Sequence, residues 1–334
     1  YDNLICRLSR ECGFFFREEI MENLIFSLNA TVPVFAMIIL GMFFKKIGII
    51  DDVFASKMNK FVFLIPLPVL LFKDLATLDF KTIWDTKFVL FCFFITILSI
   101  LIVTLLSFLL KNKQNQGEFI QASYRSSAAL LGIALIQNVY GKATMAPLMI
   151  IGSVPLYNIM AVVVLSFFSP ERKGLSKEVW LKTIKGILTN PILIGIVVGI
   201  LWSLLHLPMP TMLDKTVTSI GNVATPLGLM AMGATFNYKE ALGDLKPALC
   251  ASFIKLFGFC AMFLPLAIYL GFQGEQLIAI LVMLGSATTV SCFVMAKNMG
   301  HTGILTSTVV MLTTIFSGFS ITMWLYILKG MGLL

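Results

Sequence analysis

Two short polar stretches interrupt apolar segments of this sequence, and their residue types suit the binding of an anion. The first is 124–129 (YRSSAA), followed by Gly132, and the second is 285–291 (GSATTVS). If the helices break there, freed backbone N–H groups and the N-termini of half-helices can point at an anion. The competing interpretation is that these small residues only allow helices to pack closely. Their occurrence at corresponding points of the two halves of the chain favours a binding site.

Two cationic side chains lie within apolar segments of the chain. Arg125 belongs to the first polar stretch, and Lys255 lies in the middle of ASFIKLFGF. Charges inside a membrane are costly and usually functional, and Arg can bind a carboxylate with two hydrogen bonds. All Asp and Glu residues are expected in loops, in the N-terminal segment or at the ends of spans, so no buried carboxylate is predicted. The pattern predicts an organic anion as substrate, although Arg125 could instead reach the interface and Lys255 could be bound by carbonyls.

The composition requires these residues to be positioned by membrane-spanning helices. Of 334 residues, 58% are hydrophobic and only 13% are charged, and mean hydropathy is +0.93. A soluble domain carries about 25% charged residues, so a cytosolic enzyme, a secreted module and a disordered chain are excluded. The net charge of +8 is spread without a dense basic run, so no nucleic-acid partner is expected. Six cysteines without ligand spacing predict no metal, and no cofactor motif is present.

Ten apolar runs are long enough to be read as membrane spans. Lys and Arg are concentrated in the connections on one side, including the longest loop, 169–187, which places that loop in the cytoplasm and both termini outside. The expected location is the plasma or inner membrane. Residues 1–20 are expected to be an upstream or non-native extension, with a short interfacial helix as the alternative. The predicted spans are 31–48, 61–78, 88–110, 119–139, 145–168, 188–205, 217–236, 247–271, 276–296 and 303–328.

The two halves of the chain, 21–168 and 188–334, resemble each other at a nearly constant offset. Matched pairs lie 157 or 158 residues apart: Pro33 with Pro191, Gly41 with Gly199, Pro68 with Pro226, and Glu118 with Glu275. Each half contains five spans, an odd number, so the second half must be inverted relative to the first. Inverted repeats are typical of secondary transporters, which bind substrate near the midplane at interrupted helices. The residues predicted to bind substrate are Arg125, Ser126, Ser127, Asn158, Lys255, Ser286, Thr288 and Thr289, and Asn190, Asn222, Gln137 and Asn138 could complete the lining.

Several segments resemble the auxin efflux carrier family, which includes plant PIN transporters and bacterial permeases for malate or malonate. They are NATVPVFAMIILGMFFKKIGIID, LIPLPVLLF, LTNPILIGIVVGILWS and ATPLGLMAMGATF, and the resemblance covers 21–334. It implies an all-α membrane protein of ten helices in two inverted repeats, similar to bile-acid symporters and NhaA-like proteins. Spans 1, 2, 6 and 7 would form a scaffold, and spans 3–5 and 8–10 a moving transport domain. Helices 4 and 9 would be broken where they cross beside the substrate.

At the crossing the sequence departs from the family pattern. Relatives often carry Gly-aliphatic-Pro in span 4, which here reads Gly132-Ile133-Ala134, and Ser286 stands where Pro is common in span 9. Lys255 matches a basic residue that relatives often have in span 8. The repeat, the polar stretches and this comparison together give the predicted crossover and hinge positions, which are Gly132, Ala134, Gly285, Pro68 and Pro226.

The sequence thus predicts a non-enzymatic secondary transporter of small organic anions, either mono- or dicarboxylates, that works by an elevator mechanism. Its expected partners are the anion, a coupling ion (H⁺ or Na⁺), the lipid bilayer and, as an option, a second copy of the chain. A sodium-coupled symporter of the bile-acid carrier type is one alternative. A membrane sensor that binds a ligand without moving it is another.

Overall fold

The computed structural model describes residues 32–34, 36–77, 85–127, 136, 144–170, 185–186 and 188–334. Within these ranges the regular structure is helical, without strands. The helices are α1 (36–46), α2 (Asp52–Leu64), α3 (Pro66–Ala76), α4 (Thr86–Ser107), α5 (Gln116–Tyr124), α6 (Ala146–Phe167), α7 (Pro191–Leu204), α8 (Thr211–Asn222), α9 (Ala224–Thr235), α10 (Tyr238–Gly243), α11 (Leu245–Phe253), α12 (Phe259–Tyr269), α13 (Glu275–Gly285), α14 (Ser291–Asn298) and α15 (Ile304–Gly330).

Five helical segments in the described ranges are long and apolar enough to cross a membrane. They are Asp52–Ala76, Thr86–Ser107, Ala146–Phe167, Leu245–Tyr269 and Ile304–Gly330, and α7 and α13 are shorter apolar helices. Large apolar side chains such as Leu105, Phe94 and Phe319 point outward from them. Lipid rather than water is the solvent that such a surface requires. The predicted all-α membrane class is therefore confirmed, whereas the count of ten spans stays a prediction.

The second predicted span starts earlier in the structure than the apolar run indicates. Helix α2 begins at Asp52 because the Asp51 side chain accepts a hydrogen bond from the Phe54 N–H (2.6 Å). This N-cap satisfies one of the backbone donors that a helix start leaves without a partner. The part of α2 before residue 61 contains charged residues, so its hydropathy does not indicate a membrane span.

Two of the helical segments are interrupted three residues before a proline. Ile65 separates α2 from α3, and Val223 separates α8 from α9. Pro68 and Pro226 are the third residues of α3 and α9. Proline fits there because the first-turn N–H groups have no intrahelical acceptor. The predicted hinge prolines therefore lie just after the two interruptions, in the first turn of the next helix.

Glycines bring α1 against α9 and α3 against α7 at backbone distance. A Cβ on Gly41 would lie 2.2 Å from the carbonyl oxygen of Met230, and one on Gly199 would lie 2.8 Å from that of Phe72. Buried apolar residues of the same helices, including Ile38, form one core cluster. Packing this close leaves no room for a side chain, so the glycines hold these four helices together.

Two glutamates cap the starts of helices that are distant in the sequence. The buried Glu118 carboxylate, which is 1% exposed, accepts hydrogen bonds from the N–H groups of Gly303 (2.8 Å) and Thr306 (2.9 Å) and from two threonine hydroxyls at the start of α15. Glu275 accepts from the N–H of Met145 (2.6 Å) at the start of α6. A carboxylate is stabilised at a helix N-terminus. The expectation of no buried carboxylate is therefore wrong, because these donors compensate the charge of Glu118.

We expect Gly41→Ala to destabilise the folded protein, because the added methyl group would displace the Met230 backbone. The loss should be about 1–3 kcal/mol, the usual cost of overpacking. It can be measured as a lower melting temperature of the protein purified in detergent. Gly243→Ala is the matched control, since a Cβ there meets no atom within 4 Å. Equal melting temperatures for the two variants would contradict the proposed role of Gly41.

Candidate functional site

The two polar stretches meet where helices α5 and α13 end. Helix α5 stops at Tyr124, and Arg125 continues in extended conformation; α13 stops at Gly285, and the helical path resumes only at Ser291. The Ser127 N–H donates to the carbonyl of Ala287 at 2.9 Å, which joins the two non-helical segments. The two polar stretches therefore contact each other directly through their backbones.

Side chains around this junction bond the backbone groups that the interruptions leave free. The Thr288 N–H donates to the Thr313 hydroxyl (3.0 Å), and the Thr288 hydroxyl donates to the Ala122 carbonyl (2.8 Å). Both Thr288 and Ser286 are buried. The Ser286 hydroxyl has no hydrogen-bond partner in the described part of the chain. Thr288 therefore ties the junction to its neighbours in this structure.

Lys255 lies behind the junction and is bound by the ends of both helices. Its ammonium, which is 0% exposed, donates to the Leu284 carbonyl (2.7 Å), more weakly to the Met283 (3.4 Å) and Tyr124 (3.5 Å) carbonyls, and also to the Ser126 hydroxyl. The C-terminal carbonyls of helices carry partial negative charge and attract cations. Lys255 therefore compensates two helix ends at once.

The backbone around Lys255 is locally wound as a π-helix. This segment, Ile254–Gly258, joins α11 to α12, and the Trp324 indole donates to the Leu256 carbonyl within it (3.1 Å). A π-turn frees a carbonyl from the regular helix ladder and is frequent at functional sites. The turn determines the direction in which the lysine side chain leaves its helix.

In front of the junction is a cavity of about 370 Å³. Its polar lining residues are Asp74, Arg125, Ser126, Ser127, Tyr157, Asn158, Asn222, Thr225, Thr289 and Ser291. Its apolar lining includes Leu67, Leu70 and Leu71 of α3 and Val154, Val290 and Val294. One wall is therefore the junction with α6, and the other is formed by α2, α3 and the α8–α9 region. This size and mixed lining are typical of sites for small molecules.

Arg125 is the cation of this cavity, and only neutral groups fix its position. Its guanidinium donates to the Asn158 carbonyl oxygen (2.6 Å), the Ser291 hydroxyl (2.8 Å) and the Met295 sulfur (2.9 Å). The side chain is 2% exposed, and its Nε–H has no hydrogen-bond partner among the residues that the structure describes. No acidic side chain pairs with it in the described ranges. A buried guanidinium with a spare donor and no counter-charge is suited to an anionic ligand.

Asp74 brings a carboxyl group into the same cavity, which the sequence analysis did not foresee. It lies in α3, three residues after Leu71 and seven after Leu67, so the three side chains share one face of the helix. Within the described residues it has no hydrogen bond or ion pair, and the adjacent Lys73 pairs with Asp214 of α8 instead. The helical spacing from Leu67 is the signal that could have placed Asp74 at the site.

The structure brings together five of the eight predicted substrate-binding residues at the cavity: Arg125, Ser126, Ser127, Asn158 and Thr289. Lys255, Ser286 and Thr288 do not line it. Asn222 contributes to the lining, whereas the Asn190 side chain caps α7 through the Ile192 N–H (2.9 Å). A Cβ on Gly285 would meet the sulfur of Cys260 at 2.6 Å. Gly132, Ala134, Gln137 and Asn138 lie outside the described residues.

A comparison with known families agrees with this architecture. The family described as membrane transport protein, which is the auxin efflux carrier and PIN family, matches residues 26–325. The chain belongs to this family. The protein is therefore a membrane transport protein, and the resemblance read from the sequence is confirmed. A comparison with individually curated proteins gave no significant match.

We expect Lys255→Met to destabilise this transport protein. The substitution leaves buried carbonyls of α5 and α13 without their donor, which should cost about 2–4 kcal/mol. Thermal melting in detergent would measure this loss. Lys297→Met is the matched control, since this exposed lysine also donates to a carbonyl, that of Thr302 (3.1 Å). A melting temperature for Lys255→Met equal to that of the control would show that the junction does not depend on Lys255.

Proposed function

We propose that the protein is a secondary transporter of small organic anions that carry a carboxylate. The observation that carries this proposal is Arg125, a buried guanidinium that lines the cavity, has a free Nε–H and faces no protein counter-ion in the described ranges. A substrate carboxylate would complete its hydrogen bonding. Ser127 and Thr289, which line the same wall, would donate or accept further bonds. The apolar wall on α3 would contact the rest of the substrate.

We also propose that the two halves form inverted repeats of five spans, ten in all. Three structural features recur at the offset read from the sequence. The helix interruption at Ile65 matches that at Val223, and the Gly41 contact with Met230 matches the Gly199 contact with Phe72. The cap that Glu118 provides for α15 matches the cap that Glu275 provides for α6. Reciprocal contacts of this kind are expected of two halves related by a twofold axis.

The proposed mechanism is an elevator movement of one body along another. Spans 1, 2, 6 and 7, which the glycine contacts hold at backbone distance, would be the scaffold. Spans 3–5 and 8–10, which share the second and larger core cluster, would carry the junction and Arg125. The cavity lies between the two groups of helices. Substrate bound there would be exposed first to one side of the membrane and then to the other.

A proton suits the junction better than sodium as the coupling ion. Without carboxylates at the junction, Na⁺ would need backbone carbonyls and hydroxyls there, and the Leu284 carbonyl and Ser126 hydroxyl already bind Lys255. Asp74 is the group in the cavity that could take up a proton.

We retain the proposed orientation, with both termini outside and loop 169–187 in the cytoplasm, and the homodimer remains a prediction.

Uptake by proteoliposomes tests the anion site directly. Arg125→Gln removes the charge but keeps groups that can bond Asn158 and Ser291, so uptake of radiolabelled acetate, butyrate, malonate or malate should fall about tenfold to hundredfold. Lys215→Gln, an exposed position on α8, is the matched control and should transport normally. Equal uptake by the two variants would refute the anion site. The same assay with and without a sodium gradient tests the coupling ion.

Cross-linking between the two bodies tests the elevator mechanism. The Asn298 side chain of α14 donates to the Asn59 carbonyl of α2 at 3.3 Å, so cysteines at these positions should be joined by a short bis-methanethiosulfonate cross-linker, which a reductant removes. In a protein without the native cysteines, this link should stop transport reversibly. A cysteine pair replacing Lys73 and Asp214, which both belong to the proposed scaffold, is the control and should leave transport active. Full transport by the linked Asn59–Asn298 pair would exclude movement at this interface.

A further inference from the structure

The cavity contains two opposite charges that the protein does not pair with each other. Arg125 comes from the junction wall and Asp74 from the α3 wall. No ion pair joins them, and within the described ranges neither forms an ion pair with any other side chain. Lys73, the nearest basic residue to Asp74 in the sequence, is engaged by Asp214. Because isolated charges in an apolar cavity are costly, each favours a ligand group of the opposite sign.

An apolar surface accompanies the carboxyl group along the α3 wall. Leu67, Leu70 and Leu71 line the cavity on the helix face that carries Asp74, with the spacing i, i+3, i+4 and i+7. A ligand that contacts Asp74 therefore also contacts leucine side chains. The site thus combines a cation, an apolar surface and an acid.

We propose that the preferred substrates are zwitterions, organic acids in which a short hydrocarbon chain carries an ammonium group. The carboxylate would bind Arg125, the ammonium would bind Asp74, and the methylene groups would lie against the leucines of α3. This inference rests on the proposed function and narrows its substrate class. A dicarboxylate fits less well, because its second carboxylate would approach Asp74 with the same charge.

A ligand held in this way bridges the two proposed bodies. Arg125 belongs to the body that moves and Asp74 to the scaffold, so both ends of a zwitterion are bound together only when the bodies are arranged as in this structure. Movement of the transport domain would separate the ammonium from Asp74 while the carboxylate stays with Arg125. Binding of the ammonium would therefore favour one end state of the cycle.

A matched series of ligands tests the proposal on the purified full-length protein. Glycine, 3-aminopropionate, 4-aminobutyrate and 6-aminohexanoate would be compared at pH 7 with acetate, propionate, butyrate and hexanoate, and with malonate, succinate and adipate, by thermal shift and calorimetry. At least one amino acid should bind about tenfold tighter than the acid without its amino group, as expected for a charge-assisted hydrogen bond. The dicarboxylates should bind weakest.

Variants of Asp74 assign the preference to this side chain. In Asp74→Asn the affinity ratio of each amino acid to its parent acid should fall to about one, whereas Asp52→Asn, which changes an exposed acid at the start of α2, should keep the wild-type ratio. Asp74→Glu, which extends the carboxylate, should shift the best ligand to a shorter chain. This second variant keeps the charge and provides the test should Asp74→Asn not fold.

The outcomes separate this inference from the function on which it rests. Equal binding of amino acids and parent acids by the wild-type protein, tighter binding of dicarboxylates, or a preference that survives Asp74→Asn would overturn the zwitterion proposal. In each of these cases, carboxylates that bind the wild-type protein but not Arg125→Gln would still support the proposed anion transporter. Absence of binding by every carboxylate in the series would instead refute the proposed function itself.

Discussion

Everything at the site depends on one constraint: two interrupted helices meet in a region where water cannot satisfy their backbone. Helices α5 and α13 end at Tyr124 and Gly285, and their last carbonyls point towards each other. In hydrocarbon an unpaired carbonyl costs several kcal/mol, and two converging helix ends also repel through their dipoles. The ammonium of Lys255 donates to carbonyls of both helices, so it satisfies these acceptors and also offsets the repulsion between the two helix dipoles. Together with the hydrogen bonds of Ser127 and Thr288, this interaction stabilises the extended backbone beside the cavity.

The same constraint explains why the two buried cations have different tasks. Lys255 is surrounded by carbonyls and a hydroxyl, and its charge is balanced by helix ends. Arg125 is oriented by an amide oxygen, a hydroxyl and a thioether, which fix the guanidinium without neutralising it. The positive charge that faces the cavity therefore comes from Arg125 and not from Lys255. Lys255 lies behind the junction and Arg125 in front of it. Only Arg125 can therefore bind an anion in the cavity, so the site has one anion position rather than two.

Residue types indicated where helices α5 and α13 end, because Ser, Thr and Gly inside apolar runs are poor at sustaining a lipid-facing helix. They did not predict which side chains face the cavity. Thr289 lines it whereas Thr288 bonds the backbone behind it, since consecutive side chains of an extended segment point to opposite sides. The direction of Lys255 depends on a π-turn that leaves no mark in the sequence. The sequence did not indicate Asp74 as a cavity residue, because it lies near the end of a predicted span, where acidic residues are common.

Burial of a carboxylate does not by itself reveal a ligand site, as the contrast between two acids of this chain demonstrates. Glu118 is more deeply buried than Asp74, yet four donors at the start of α15 satisfy it, so its charge is fully used by the fold. Asp74 accepts no hydrogen bond from the described residues, and the adjacent Lys73 forms its ion pair with Asp214. Asp74, rather than the more deeply buried Glu118, is therefore the acid whose charge is available to bind a substrate.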